Sequence, residues 1–484
     1  MPGTPSPHDA SQGALSNPPS PHDASQGALS SPASQRDVSP RGPQDASPRA
    51  LSGPPAQRDG RSGTDGVALV RPAGPTDVVG GVPARFVAAP ETTAQVAAVL
   101  TAAAERGLTV VARGSGSKLD WGAPPTSLDL IVDTRRLTGV VEHAAGDLIV
   151  VVRAGTPLAE LRQVLAPAGQ QLALDDPLPG STVGGAVSVN TSGPRRMGYG
   201  TIRDLLIGVT LVRADGVVAH AGGKVVKNVA GYDLGKLVTG AYGTLGLITE
   251  CAFRLHPVPA AQAYVRCRVP LAGAGGADLV GRLVTAVRAA QLVPDALEVD
   301  VPVAGPVELV VLLGGTTAGV TGRAEATRRL LAAAAGSGDR GDGVEIVVDT
   351  APPQWWSGYP WSAGGTGLKL TGVLSGVPDL LGAARSVAER YDVPIRVRGS
   401  AGTGVLYAGL PAGADPDRVA RVVEELRGAA GAAGGHAVVL TAPDRVRDRV
   451  DLWGPVDGLD LMRRVKARFD PEARLAPGRF VGGI

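Results

Sequence analysis

From about residue 83 onward, apolar and polar positions repeat at regular spacings. Val96, Val99, Leu100 and Ala103 recur at helical intervals behind Thr92 and Gln95, a pair spaced for a capping box, and Gly107 ends the run. The apolar stretch Leu108 to Ala112 predicts a buried strand that runs into Arg113-Gly114-Ser115-Gly116-Ser117-Lys118. Strands follow at about 128–133 and 148–153. A helix then opens at Thr156-Pro157, with Leu158, Leu161, Val164 and Leu165 on one face. Asp204 to Arg213 and Val217 to His220 read as a hairpin, because Ala214-Asp215-Gly216 between them supplies the turn. Gly246 to Leu255 is a further strand.

The pattern changes near residue 262. Strand 263–269, helix 277–290, strands 296–300 and 307–314, helix 321–335 and strand 344–349 are expected in that order. The same order recurs as strand 367–374, helix 377–390, strands 394–399 and 403–410, helix 415–433 and strand 436–441. Two βαββαβ units predict two ferredoxin-like halves in one antiparallel sheet with helices on one face. The fold class is therefore α+β. Gln354 to Trp361 joins the halves and holds three of the five tryptophans. That link could roof a flat ring, act as a packing hinge or meet a partner. Leu459 to Phe480 predicts a short helix and a Pro/Gly-rich strap returning to the first domain. The expected divisions are a tail at 1–62, a first domain at 63–258, a cap at 259–445 and the strap at 446–484.

Composition separates the tail from the rest. PSPHDASQGALS stands at 5–16 and again at 19–30, and few large apolar residues occur before residue 60. Burying one apolar side chain gains about 1.5–3 kcal/mol at most, whereas ordering each backbone costs about 1–2 kcal/mol. Disorder is the expectation for this low-complexity segment. A net charge of +2 without a basic stretch argues against nucleic acid as a partner. Cys251 and Cys267 are the only cysteines, too few for an iron–sulfur cluster or a cysteine-rich zinc site on this chain alone, and no histidines pair at metal-ligand spacing. No metal site is expected. Absence of a membrane-length apolar run or secretory signal gives cytoplasmic as the expected location.

The candidate chemistry sits in small-residue turns. Pro179-Gly180-Ser181-Thr182, with Gly184 and Gly185, lets backbone approach a phosphate closely while hydroxyls add donors, which suits a pyrophosphate. The turn 113–118 offers the same chemistry. It is not a Rossmann loop, because Gly122, Pro124 and Pro125 leave no following helix to receive phosphates. Residue choice sharpens the picture: of 47 basic residues only six are lysines, and Lys224, Lys227 and Lys236 fall within one short block. Two of the three asparagines, Asn190 and Asn228, lie in the same central region. An ammonium and an amide do work that a guanidinium cannot, against the alternative of a chance cluster on a solvated loop.

With those motifs stated, the chain over about 65–484 resembles flavoproteins with the vanillyl-alcohol-oxidase-type FAD-binding fold. Within them it is similar to the FAD-binding subunit family of bacterial glycolate oxidase. GGKVVKNVAGYDLGKLVTGAYGTLGLIT is the most specific piece and is shared in kind with D-2-hydroxyacid dehydrogenases. The resemblance implies a two-subdomain FAD fold with a cap, and contacts from Arg113 to Lys118 and from Pro179 to Gly185 to the FAD pyrophosphate. It implies that Asn190, Ser192, Gly193, Tyr199, Gly200 and Asp204 line the flavin, and that Gly246 and Ile248 hold its adenosine or ring edge. Lys227, Asn228 and Tyr232 are the implied catalytic candidates facing the isoalloxazine. The FAD is expected to be noncovalent, since 113–118 hold no histidine. The cap's one histidine, His436, departs from relatives that carry a histidine-rich metal site there. Ala476 stands where relatives usually have Asn before Pro-Gly.

The implied function is oxidation of glycolate or another small 2-hydroxy acid. Electrons would leave to an iron–sulfur partner, alongside a second FAD-binding subunit, with membrane association only through those partners. The alternatives are a free-standing oxidase of a small hydroxy acid or alcohol, and a non-catalytic FAD-binding assembly subunit.

Overall fold

The computed structural model describes residues 69–223, 233–270, 275–336 and 343–484. The repeat-bearing tail lies outside the described residues, and so do Lys224, Lys227, Asn228 and Tyr232.

Three sheets organise the rest. In the first, β1 (Leu69–Pro72), β2 (Phe86–Ala89), β3 (Val110–Arg113) and β4 (Leu130–Asp133) lie in the order β1-β2-β4-β3. The pairs β2–β4 and β3–β4 are parallel, and β1–β2 is antiparallel. Helix α1 (Thr93–Glu105) covers this sheet, with Val96, Leu100 and Ala103 packed on Ala88, Val110 and Val132. It begins where the Thr92 hydroxyl accepts from the Gln95 N–H at 3.1 Å.

The second sheet is antiparallel throughout. It contains β5 (Val140–Ala144), β6 (Ile149–Arg153), β7 (Leu206–Val212), β8 (Val218–Gly222) and β9 (Leu247–Arg254), in the order β8-β7-β9-β6-β5. Helices α2 (Leu158–Leu165) and α3 (Val183–Ser188) bury Leu161, Leu165, Val183 and Val187 against Val150, Val209, Cys251 and Phe253. The segment 183–188 is a short helix, capped by Thr182 through the Gly185 N–H. The expected hairpin keeps its turn, but Ile202–Leu205 coils before β7 begins.

The third sheet has eight antiparallel strands: β10 (Ala261–Val269), β11 (Ala296–Val301), β12 (Val307–Gly315), β13 (Glu345–Asp349), β14 (Thr366–Thr371), β15 (Arg396–Ser400), β16 (Val405–Leu410) and β17 (Ala437–Thr441). Their order is β13-β10-β12-β11-β15-β16-β14-β17, so two four-stranded halves meet where β11 pairs β15. Helices α4 (Gly275–Ala289), α5 (Thr317–Ala334), α6 (Val377–Tyr391) and α7 (Pro416–Ala432) bury Leu283, Leu331, Leu380 and Leu426 over one face, against Val265, Leu297, Leu309 and Leu406. Alternation along a strand sends the next residues to the other face. That face carries Glu298, Asp300, Glu308, Lys369, Arg398 and Tyr407.

The C-terminal segment joins the first two sheets. Helix α8 (Leu459–Phe469) places Lys466 so that its Nζ donates to Thr244 O, Asp470 Oδ2 and Leu475 O at 2.7–2.8 Å. Beyond it, Val110 N donates to Arg474 O and Ala476 N donates to Val110 O, so the strap lies along the edge strand β3.

Candidate functional site

The two small-residue turns meet in space. At the C-terminal end of β3, Gly114 lies so close to the start of α3 that a Cβ on it would sit 2.3 Å from Thr182 Oγ1. Lys118 Nζ donates to Ser181 Oγ at 2.5 Å, and the Ser117 and Ser181 hydroxyls are 3.4 Å apart. Burial lowers the Lys118 ammonium from its ordinary value, and Asp176 at 3.8 Å opposes that shift. The glycines behind the turns are required by packing: a Cβ on Gly184 would meet Ala154 Cβ at 2.8 Å, and one on Gly246 would meet Leu211 Cδ1 at 2.8 Å. In front of them opens a cleft of about 760 Å³, lined by Gly114 to Lys118, Thr182, Gly184, Gly185, Tyr242, Gly246 and Ile248. Arg479 closes one side, donating to Leu119 O and Trp121 O at 3.0 and 2.7 Å.

A second cavity of about 790 Å³ shares Val189 and Tyr242 with this cleft. Its walls are aromatic, from Trp121, Tyr359, Trp453 and Phe480, with Asn190, Thr191, Lys369 and Tyr407 as polar groups. Asn190 holds φ +52°, and both its Oδ1 and the Thr191 hydroxyl are buried without a hydrogen-bond partner among the described residues. A glycine-lined cleft next to an aromatic cavity that carries unsatisfied polar atoms fits a nucleotide diphosphate joined to a flat ring system.

Other expected residues lie elsewhere. The Arg113 guanidinium is drawn away from the cleft into ion pairs with Asp77 and Asp133, both at 2.9 Å. Pro179 and Gly180 are exposed and line none of the three cavities. Tyr199 packs edge-on against His256 at 4.9 Å, and Gly200 serves a backbone at φ +82°. Asp204 caps its own turn, accepting from Thr201 N and Oγ1 at 2.8 Å. None of these three lines the cavities, because each is committed to local turn geometry. Ser192 and Gly193 line a third cavity of about 340 Å³, together with Arg196, Glu298, Tyr359, Arg398 and Tyr407.

The helix-free face of the eight-stranded sheet supplies residues that the sequence did not single out. Cα register aligns Asp300 with Arg398, Arg398 with Tyr407, and Tyr407 with Lys369 across four neighbouring strands. Directly opposed side chains on one face lie about 4.5–5.5 Å apart at Cβ, so this is a continuous polar row. Arg398 is neutralised by Asp300 at 2.8 Å and anchors the tryptophan-rich link through Gly358 O at 2.7 Å. Arg196 Nη2 donates to the Tyr407 hydroxyl at 3.0 Å. Burial pushes the Tyr407 phenol up, yet the Arg196 and Lys369 cations together bring it below its ordinary value. Burial lowers the Lys369 ammonium, and it has no ion pair or hydrogen bond among the described residues. Burial also pushes the Glu298 carboxyl up, to about 8. Tyr359 stacks on Trp361 at 4.3 Å and meets Tyr407 edge-on at 4.9 Å. The rarity of lysine was the one available signal for Lys369. Nothing local marked Arg196, Glu298 or Tyr407.

Comparison with known proteins decides the class. Residues 84–222 match the FAD binding domain family. The glycolate oxidase subunit GlcD of Bacillus subtilis is 28% identical over 422 residues, covering 81% of this chain and 88% of that one. This chain is an FAD-dependent oxidoreductase. The flavoprotein is also 38% identical to the glycolate oxidase subunit GlcE of Escherichia coli over 164 residues, 34% of this chain and 46% of that one. A D-lactate dehydrogenase of Archaeoglobus fulgidus is 35% identical over 171 residues, covering 35% of this chain and 38% of that protein. Among solved structures, p-cresol methylhydroxylase aligns with a TM-score of 0.63 at 17% identity, over 82% of this chain and 89% of its own. The 4-ethylphenol oxidase of Gulosibacter chungangensis aligns with a TM-score of 0.64 at 16% identity, over 86% and 90%. These neighbours show that the flavoprotein has the mixed helix-and-strand FAD-binding fold. Among the described residues no helix is long and apolar enough to cross a membrane, and no cluster of acidic, histidine and cysteine side chains could hold a metal.

Proposed function

We propose that this flavoprotein oxidises a small 2-hydroxy acid, with glycolate as reference substrate, to the 2-oxo acid, as a subunit of a glycolate-oxidase-type complex. The eight-stranded sheet then acts as a cap of two ferredoxin-like units over noncovalent FAD. The domain boundaries are those expected above, and an iron–sulfur protein and a second flavoprotein are its partners in the cytoplasm. The relatives carry names of this activity. The single observation that carries the reading is Lys369, a half-buried cation lining the aromatic cavity without an ion pair or hydrogen bond among the described residues.

A carboxylate is the group such a cation lacks, and its arrival restores the charge balance that burial removed. Tyr407, held below the ordinary phenol range by Arg196 and Lys369, accepts the proton of the substrate hydroxyl as general base. FAD held by the glycine-lined cleft of Gly114 to Lys118, Thr182, Gly184 and Gly185 would supply the oxidant for the C2 hydrogen and its electron pair, so that removal of the hydroxyl proton by Tyr407 leaves the 2-oxo acid. Tyr359, Trp121 and Trp453 keep bulk water from the reacting carbon. Cysteines sufficient for an iron–sulfur cluster must come from another chain, because Cys251 and Cys267 are both buried and free.

The test is anaerobic mixing of the FAD-loaded chain with glycolate. Bleaching of the flavin is expected. Replacing Lys369 with Met should raise the half-saturating glycolate concentration at least about tenfold, the loss of one charge-assisted hydrogen bond. A wild-type flavin that stays oxidised overturns the reading and leaves an assembly role.

A further inference from the structure

We infer that the 2-hydroxy acid taken by this chain carries a neutral hydrogen-bonding group, a hydroxyl or an amide, on the carbon beyond C2, and that Glu298 recognises it. The inference rests on the reading above, which sets the reacting carbon beside Tyr407. From that point the third cavity opens. Tyr359 and Tyr407 line both it and the aromatic cavity, so the third cavity lies next to the space that a substituent on C2 would take. Glycolate carries only hydrogens on C2 besides its hydroxyl and sends nothing towards that space.

The far wall is polar in a particular way. Glu298 is 4% exposed, and its Oε1 has no hydrogen-bond partner among the described residues. The other charged groups of the cavity wall are committed, Asp175 being paired with Arg195 at 2.9 Å. Arg398 is paired with Asp300, and Arg196 is spent on the carbonyls of Ser192 and Gly193 and on the Tyr407 hydroxyl. A buried polar atom with no partner is costly, and a ligand group that reaches it removes the cost. Burial pushes the Glu298 carboxyl up against the opposing Arg196 charge and Ser400 hydroxyl, which favours the protonated form that donates as well as accepts. A methyl group in the same place would leave Oε1 unsatisfied. A site of this kind discriminates strongly against the analogue that lacks the polar group.

The experiment compares glycerate with lactate of the same hand, which differ by one hydroxyl on that carbon, using the FAD-loaded wild type and the variants Glu298→Gln and Glu298→Leu. FAD content and the flavin absorbance shift on binding each acid are recorded beside kcat/KM. The wild type should favour glycerate at least about tenfold, the value of one hydrogen bond that otherwise stays unmade. The glutamine variant should retain most of that preference, since a neutral amide stands in for a neutral acid. The leucine variant should bring the ratio close to one, in binding as in turnover. Equal handling of the two acids by the wild type, or an unchanged ratio in the leucine variant, overturns the inference while leaving 2-hydroxy-acid oxidation intact. If glycerate, lactate and glycolate all fail to reduce the flavin, the proposed function itself fails, and this inference with it.

Discussion

Gly114→Ala tests the contact on which the FAD cleft is built. The added Cβ would lie 2.3 Å from Thr182 Oγ1, 3.2 Å from its Cγ2 and 3.3 Å from its Cβ. A comfortable separation is about 3.5 Å or more, so something must move by about 1 Å. Thr182 can rotate, which breaks its 3.3 Å bond from the Gly185 N–H and uncaps α3 at a cost of about 1 kcal/mol. Alternatively the turns separate, an overpacking cost of about 1–3 kcal/mol, and the bond from Lys118 to Ser181 stretches. Either route costs about 1–3 kcal/mol in stability, with FAD affinity lowered at least about tenfold. Thr182→Ala alone should cost only the cap, about 1 kcal/mol. The double variant should cost little more than Thr182→Ala, because the obstructing oxygen is gone. Denaturant unfolding of all four proteins, with FAD titrated by quenching of its fluorescence, closes the cycle. Additive effects, within about 0.5 kcal/mol, would refute the claim that these turns touch.

Two further outcomes follow from the polar row and the strap. Tyr407→Phe should remove the rise of kcat/KM with pH that marks the phenol losing its proton, a rise expected below the ordinary tyrosine range because Arg196 and Lys369 favour the anion; steady-state profiles from pH 5 to 10 read this directly. Lys466→Met should destabilise the protein by about 3–5 kcal/mol in a thermal or denaturant melt, since it leaves Asp470, whose side chain is 0% exposed, without its cation and strips a donor from Thr244 O and Leu475 O.

The cleft was legible in the sequence because glycine and hydroxyl chemistry is local. A turn at 113–118 and another at 179–185 announce themselves by residues that permit close approach, and in the structure Gly114, Lys118, Ser181 and Thr182 meet. The strand-helix order of the third sheet was legible for a similar reason, since periods of 2 and 3.6 survive in each segment taken alone. The position of Arg113 was not legible, because only the fold shows Asp77 and Asp133 on either side of it. Asp204 and Gly200 each have a local reason to be where they are, one a cap and the other a positive φ, and neither lines the described cavities. Ala476 is informative in the opposite sense. It adopts φ +46°, a region that Asn and Gly enter more easily, so the departure from Asn carries a backbone cost.

The polar groups on the helix-free face were hidden for a deeper reason, which is register. Glu298, Lys369, Arg398 and Tyr407 become neighbours only when β11 pairs β15, β15 pairs β16, and β16 pairs β14 in the observed alignment. A slip of one residue in any of these pairs would send its row to the helix-covered face. That slip is prevented by the opposite set, Leu297, Val299, Val397, Leu406, Ala408, Leu368 and Leu370, all buried beneath the helices. Apolar packing on one face therefore fixes the position of the charged groups on the other. Changes in the third core that keep volume but disturb register should thus reach the chemistry without touching a polar residue.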